Sequence, residues 1–170
     1  MKAPSFKGLS PSSLASSCAK QANPCRNTRP ELSLRRALWK LGLRIRTHAT
    51  DLPGRPDIVM RRLKIAVFCD GDFWHGRCWP ALKRALQQRA NPSYWIAKIG
   101  TNRQRDTRSR RALRHLGWHV ISLWETDIQR DPEQAALVVK AAVDSRFETR
   151  AKGLRGGTQR RTTPRKGSTA

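Results

Sequence analysis

Residues 53 to 79, PGRPDIVMRRLKIAVFCDGDFWHGRCW, gather three carboxylates, one histidine and the aromatic pair Phe73 and Trp74 within the length of one hairpin. A β-rich run begins at Asp57, a polar turn follows through Arg61 and Arg62, and a second β-rich run extends from Lys64 to Cys69. That pattern predicts an antiparallel hairpin. Residue sums stay constant across an antiparallel pair, so a turn centred near Arg62 sets Asp57 close to Cys69 and Asp70, within a residue or two of register. Carboxylates brought together at the open end of a sheet repel one another unless a cation neutralises them, and a hard divalent metal bound through oxygen does so most simply. Asp57 is the first candidate ligand. Asp70 and Asp72 are alternative second ligands, since Gly71 can break the strand between them, and Cys69 joins the candidate metal set at the same strand end.

A phosphodiester suits such a site. Its hydrolysis needs a nucleophilic water and neutralisation of the leaving oxygen, and Mg2+ on clustered carboxylates supplies both Lewis acidity and a lowered water pKa. His75 follows Trp74 and is the candidate proton-transfer group, because imidazole titrates near neutral pH. The formal charge of +23, from 35 Lys and Arg against 12 Asp and Glu, far exceeds what solubility requires and implies a polyanion held through its phosphates. Nucleic acid is the first expectation. Arg103, Arg105, Arg108 and Arg110 lie in an arginine-dense segment that covers more than one helical face, and they are the candidate phosphate contacts.

The rest of the chain reads as one domain with loose ends. Residues 1–27 are rich in Ser, Pro and Ala with scattered basic residues, and are expected to form a flexible arm. Thr28 and Glu31 have capping-box spacing at the start of a helix that carries Leu34, Leu38 and Leu41 on one face and stops at Gly42. Glu31 shares that apolar face, which leaves it two roles: a cap, or a carboxylate directed at the sheet. A short strand is expected over Leu43 to Arg46, then the hairpin, a polar crossing after Trp79, and a helix from Pro92 that continues or restarts after Gly100 and ends at Gly117. The strand Trp118 to Trp124 is apolar on both faces and is expected inside the sheet. Asp131 and Pro132 open a last helix reaching about Asp144, and residues 146–170 read as a disordered basic tail. No stretch has the length and apolarity of a membrane span or a signal peptide, so a cytoplasmic protein without disulfides is expected.

The order Glu31, Pro56-Asp57, Phe68-Cys69-Asp70-Gly71-Asp72-Phe73-Trp74-His75-Gly76, Tyr94-Trp95 and Trp124-Glu125 resembles the very-short-patch-repair (Vsr-like) DNA endonucleases of the PD-(D/E)XK nuclease superfamily, over roughly residues 28 to 130. The resemblance implies a three-layer α/β/α restriction-endonuclease-like fold with a central mixed sheet, occupying residues 28–145. It also implies Mg2+-dependent nicking or cleavage of double-stranded DNA at T·G mismatches. On that reading the catalytic set is Asp57, His75, Glu31 and Asp70, with Glu31 supporting the metal site. Phe73, Trp74 and Trp95 match aromatics that wedge into DNA beside the mismatch, where unstacking costs least. The superfamily lysine is missing, and Asp72, Arg77 and Thr126 stand where structural zinc ligands are expected, so no zinc is expected. Two rival functions stay open: a restriction-linked or general DNA nuclease indifferent to mismatches, and a non-catalytic basic nucleic-acid-binding protein. A monomer is expected, with mismatch-repair or restriction-modification proteins as possible partners.

Overall fold

The computed structural model describes Pro4 and residues 26–156, with side chains through residue 151. Nearly all of the expected arm, and residues 157–170 of the expected tail, lie outside the described residues. The elements run α1 Arg29–Lys40, β1 Arg46–Thr47, β2 Ile58–Met60, a 3-10 turn Arg61–Leu63, β3 Ile65–Asp70, α2 Trp79–Gln87, α3 Pro92–His115, β4 His119–Trp124, α4 Glu125–Arg130 and α5 Pro132–Gly156. The sheet order is β1-β2-β3-β4, antiparallel except for the parallel β3–β4 pair, so the sheet is mixed as expected.

The hairpin register follows the turn. Ile58 pairs with Val67, Val59 with Ala66 and Met60 with Ile65, and Lys64 takes the left-handed conformation (φ 51°) that closes the turn. Alternation then sends Ile58, Met60, Ile65 and Val67 to one face, where Leu34 and Leu38 of α1, Ile128 of α4 and Ala136, Val139 and Val143 of α5 cover them. Val59, Ala66 and Phe68 point to the opposite face, against Leu113 of α3. Helices therefore cover both faces. This is the three-layer α/β/α arrangement expected, and it places the carboxyl end of β3 between α3 and the start of α1.

Several local features differ from expectation, beginning with β1, which spans Arg46–Thr47 rather than Leu43 to Arg46. Strand β4 lies at the edge of the sheet rather than inside it; its two apolar faces are explained by helices on both sides, with Trp118 and Val120 against one core cluster and Ile121 and Leu123 against the other. The crossing after Trp79 contains α2, whose only buried residue is Leu86, and α4 follows β4 directly. Helix α3 passes through Gly100 unbroken, which settles the open choice between continuing and restarting there. Helix α5 runs to Gly156 instead of ending near Asp144, because Arg146 to Lys152 contains no helix breaker; residues 146–156 are thus helical, not disordered tail.

Candidate active site

Asp57 sits just before β2, and the hairpin delivers it where the register predicts. Its backbone N–H donates to the Val67 carbonyl at 3.1 Å, and its Oδ2 accepts the Cys69 backbone N–H at 2.8 Å. Burial raises the Asp57 carboxyl to about 6; the Cys69 N–H opposes this, while the charges of Glu31 and Asp70 reinforce it. Half-buried Asp57 is thus an anion short of positive charge. Among the described residues its Oδ1 accepts no hydrogen bond, which leaves one carboxylate oxygen for a cation. Glu31, buried at 4% exposure, stands behind it rather than open to solvent. Thr28 Oγ1 donates to Glu31 at 2.8 Å, the Asn27 N–H at 3.1 Å and Arg35 Nη2 at 2.7 Å. The capping box is therefore altered: Glu31 caps through Asn27, and Arg35 neutralises it.

Asp70 ends β3 at 2% exposure and faces α3, where Arg110 grips both its oxygens through Nη2, at 2.7 and 2.5 Å. Burial raises the Asp70 carboxyl, against the opposing pull of Arg110 and His75. Its charge is thus already committed. His75 Nδ1 lies 2.6 Å from Asp106 Oδ2 and 3.6 Å from Asp70 Oδ1. Burial tends to raise the Asp106 carboxyl, but the bond to His75 and the nearby cations outweigh it and hold Asp106 ionised, so Nδ1 must carry the proton and donate. Nε2 accepts and donates no hydrogen bond among the described residues. Burial pulls the His75 pKa down, yet the Asp106 bond and the charges of Asp70 and Asp106 prevail and raise it.

The metal set expected from sequence is only partly assembled. Asp72 is engaged elsewhere: its oxygens accept Arg77 Nη1 at 3.0 Å and the Thr126 hydroxyl and N–H at 2.7 and 3.0 Å. The Cys69 thiol is pushed well above its ordinary range by burial and by the neighbouring carboxylates, so it stays protonated, and Cys69 serves through its backbone N–H. Among the described residues no three His, Cys, Asp or Glu side chains group closely enough to hold a metal by themselves. The candidate that remains is Asp57 alone. That still fits Mg2+, which keeps several waters and takes one or two carboxylates plus phosphate oxygens from the substrate.

Residues 71–78 form a compact loop in which the His75, Gly76 and Arg77 N–H groups donate to Gly71, Phe73 and Asp72 carbonyls. It brings Phe73 and Trp74 against Trp95 of α3, with ring centroids 5.2 Å apart for Phe73–Trp74, 5.6 Å for Phe73–Trp95 and 6.0 Å for Trp74–Trp95. Trp74 is 40% exposed. The expected arginine set divides. Arg103 Nη1 donates to the Gly76 carbonyl at 2.9 Å and Arg110 holds Asp70, whereas Arg108 is exposed and Arg105, also exposed, reaches Asp106 at 3.3 Å. Arg105 and Arg108 line a cavity of about 340 Å³ with Lys98, Asn102 and Gln104.

Residues 13–81 match the family described as DNA mismatch endonuclease Vsr. Over 137 residues, 78% of this chain and 91% of the relative, the sequence is 39% identical to the type II nicking enzyme V.NmeDIP of Neisseria meningitidis serogroup C. This chain belongs to the Vsr family. It is also 37% identical to the type II nicking enzyme V.HpaIIP of Haemophilus parainfluenzae over 129 residues, 76% of this chain and 90% of that one. The DNA mismatch endonuclease Vsr of Escherichia coli K12 is 37% identical over 101 residues, 59% of this chain and 62% of that protein. As a Vsr-family protein the chain is a DNA endonuclease, a phosphodiester hydrolase, and the non-catalytic alternative gives way. Sequence reasoning missed Asp106 in this Vsr-family site. A signal existed: Asp106 is the single acidic residue of α3, on the stripe that carries Trp95, Ile99, Arg103 and Arg110 at helical spacing.

Proposed function

We propose that this endonuclease nicks one strand of DNA at T·G mismatches in a Mg2+-dependent reaction, in the setting of very-short-patch repair. The observation that carries the proposal is the junction of two features at one end of the sheet. An imidazole oriented by Asp106 lies beside Phe73 and Trp74, while Asp57 offers an unpaired carboxylate oxygen at that same end. Asp57 would hold Mg2+, which supplies Lewis acidity and a lowered water pKa when bound. His75 Nε2 transfers the proton at the scissile phosphate; Asp106 keeps the ring in the tautomer this requires. Asp70 is not a metal ligand in this scheme. It balances Arg110 and adds negative charge near His75.

The aromatic cluster gives the mismatch reading its physical basis, since inserting rings between base steps costs least where pairing is already weak. The Escherichia coli relative, named as a mismatch endonuclease, supports that reading. A restriction-linked nickase is the second reading, favoured by the relatives described as type II nicking enzymes. The mechanism is tested by single-turnover nicking of a T·G duplex in Mg2+ by the parent, Asp57→Asn and His75→Gln. Each substitution is expected to reduce the rate by at least about a hundred-fold, with the double variant no slower than the slower single one. Parent-like rates in either single variant contradict the assignment.

A further inference from the structure

Asp72, Arg77, Thr126 and Asp127 form a polar cluster that the reaction leaves unused. Arg77 bridges it, with Nη1 3.0 Å from Asp72 Oδ1, Nη2 3.0 Å from Asp127 Oδ1, and its guanidinium 5.7 Å above the centre of the Trp124 ring. Asp72 Oδ2 accepts both the hydroxyl and the backbone N–H of Thr126. These bonds tie the loop after β3 to the junction of β4 and α4. The opposite side of the loop is held by α3: Asn102 Nδ2 donates to the Trp74 carbonyl at 3.1 Å, Arg103 to the Gly76 carbonyl, and Asp106 holds His75. Gly76 shows how close that side is, because a Cβ there would lie 3.0 Å from Arg103 and 3.1 Å from Ile99.

We infer that Asp72 and Arg77 are positioning residues: through Thr126 and Asp127 they lock the second side of the loop and so fix where His75, Phe73 and Trp74 meet DNA. The inference rests on the role proposed above for His75. A loop held from one side can pivot about that side. Because residues 71–78 are hydrogen-bonded to one another, a pivot carries the imidazole and both rings together. Isolated ion pairs at this exposure, 28% for Asp72 and 31% for Arg77, contribute little. Here the carboxylate also accepts a backbone N–H and a hydroxyl, and the guanidinium spans two carboxylates over an aromatic face, so geometry rather than charge sets the role. The lowered Asp72 pKa agrees, since Thr126 and Arg77 outweigh its burial.

The test is single-turnover and steady-state nicking by full-length Arg77→Met, Asp72→Ala, Arg77→Lys and Thr126→Val, with His75→Gln alongside, each with an Mg2+ titration and a thermal melt. A displaced reacting group lowers rate far more than affinity, so kcat is expected to fall on the order of ten- to a hundred-fold in Arg77→Met and Asp72→Ala, with KM nearly unchanged. Half-saturating Mg2+ stays unchanged. Asp72→Ala combined with Arg77→Met loses no more than the slower single variant, Arg77→Lys recovers part of the rate, and Thr126→Val, which removes one hydroxyl, shows a smaller loss with the fold intact. Parent-like kcat in folded Asp72→Ala and Thr126→Val, with His75→Gln inactive, overturns the lock while sparing the role of His75. A rise of about tenfold in half-saturating Mg2+ in Asp72→Ala makes Asp72 a ligand and overturns it too. Full activity in His75→Gln removes the catalytic reading and the lock with it.

Discussion

In the proposed reaction Asp57 is both a structural cost and the metal-holding carboxylate of the site. Its carboxyl stands at about 6 against an ordinary 3.8, so between those values the folded chain holds a proton that the unfolded chain has released. Stability from this group therefore falls as pH rises through that window, by less than about 3 kcal/mol. The raised His75 acts in the same direction, with stability fully present below about 6.5 and lost as pH rises above it. Urea denaturation in chelator is expected to show Asp57→Asn more stable than the parent at about pH 8 and close to it at about pH 4; the reverse order would rule out the desolvated anion. Mg2+ should stabilise the parent and not the variant. The Asp70–Arg110 pair is a different case. Removing Arg110 alone leaves a buried, uncompensated carboxylate, so Arg110→Met is expected to cost about 3 to 5 kcal/mol, and Asp70→Asn with Arg110→Met distinctly less, by equilibrium denaturation.

Helix α3 is the element on which binding and chemistry meet in the proposed scheme, and its sequence is the hardest to interpret without the fold. The hairpin is legible because its register is local: the residue sum fixed by the turn brings Asp57 to the Cys69 N–H without any knowledge of the rest of the chain. How α3 docks is a tertiary matter, so in sequence its arginines look equivalent. In the folded chain Arg103 and Arg110 point inward to Gly76 and Asp70, Asp106 orients His75, and Arg105 and Arg108 remain outside. Strand β4 misleads for a related reason, since helices on both faces give the same apolar pattern as flanking strands. The docking yields a paired prediction for duplex affinity across a salt series. Neutralising Arg105 and Arg108 should weaken matched and T·G duplexes alike and reduce the salt slope by about 1 for each phosphate no longer neutralised. Phe73→Ala with Trp74→Ala should instead forfeit aromatic stacking worth about 1 to 3 kcal/mol per base, chiefly on the mismatched duplex. Equal losses on both duplexes would make the rings packing residues.

For the whole molecule, a large positive charge and a small three-layer fold serve, in the proposed reaction, one arrangement in which the duplex is gripped through phosphates and cut at the carboxyl end of β3. Charge alone carries no sequence information, so in the proposed scheme selectivity is assigned to the loop of residues 71–78 and to Trp95. Among the described residues no helix is long and apolar enough to cross a membrane, and the family assignment rests on sequence shared well beyond the hairpin. The most direct measurement uses two duplexes of identical sequence, one with a central T·G mismatch and one with T·A, each labelled on either strand and incubated with the full-length protein in Mg2+ or in chelator. The predicted result is Mg2+-dependent nicking of a single strand of the T·G duplex, with the T·A duplex left intact. Equal cutting of both duplexes, or cutting that persists in chelator, would contradict it.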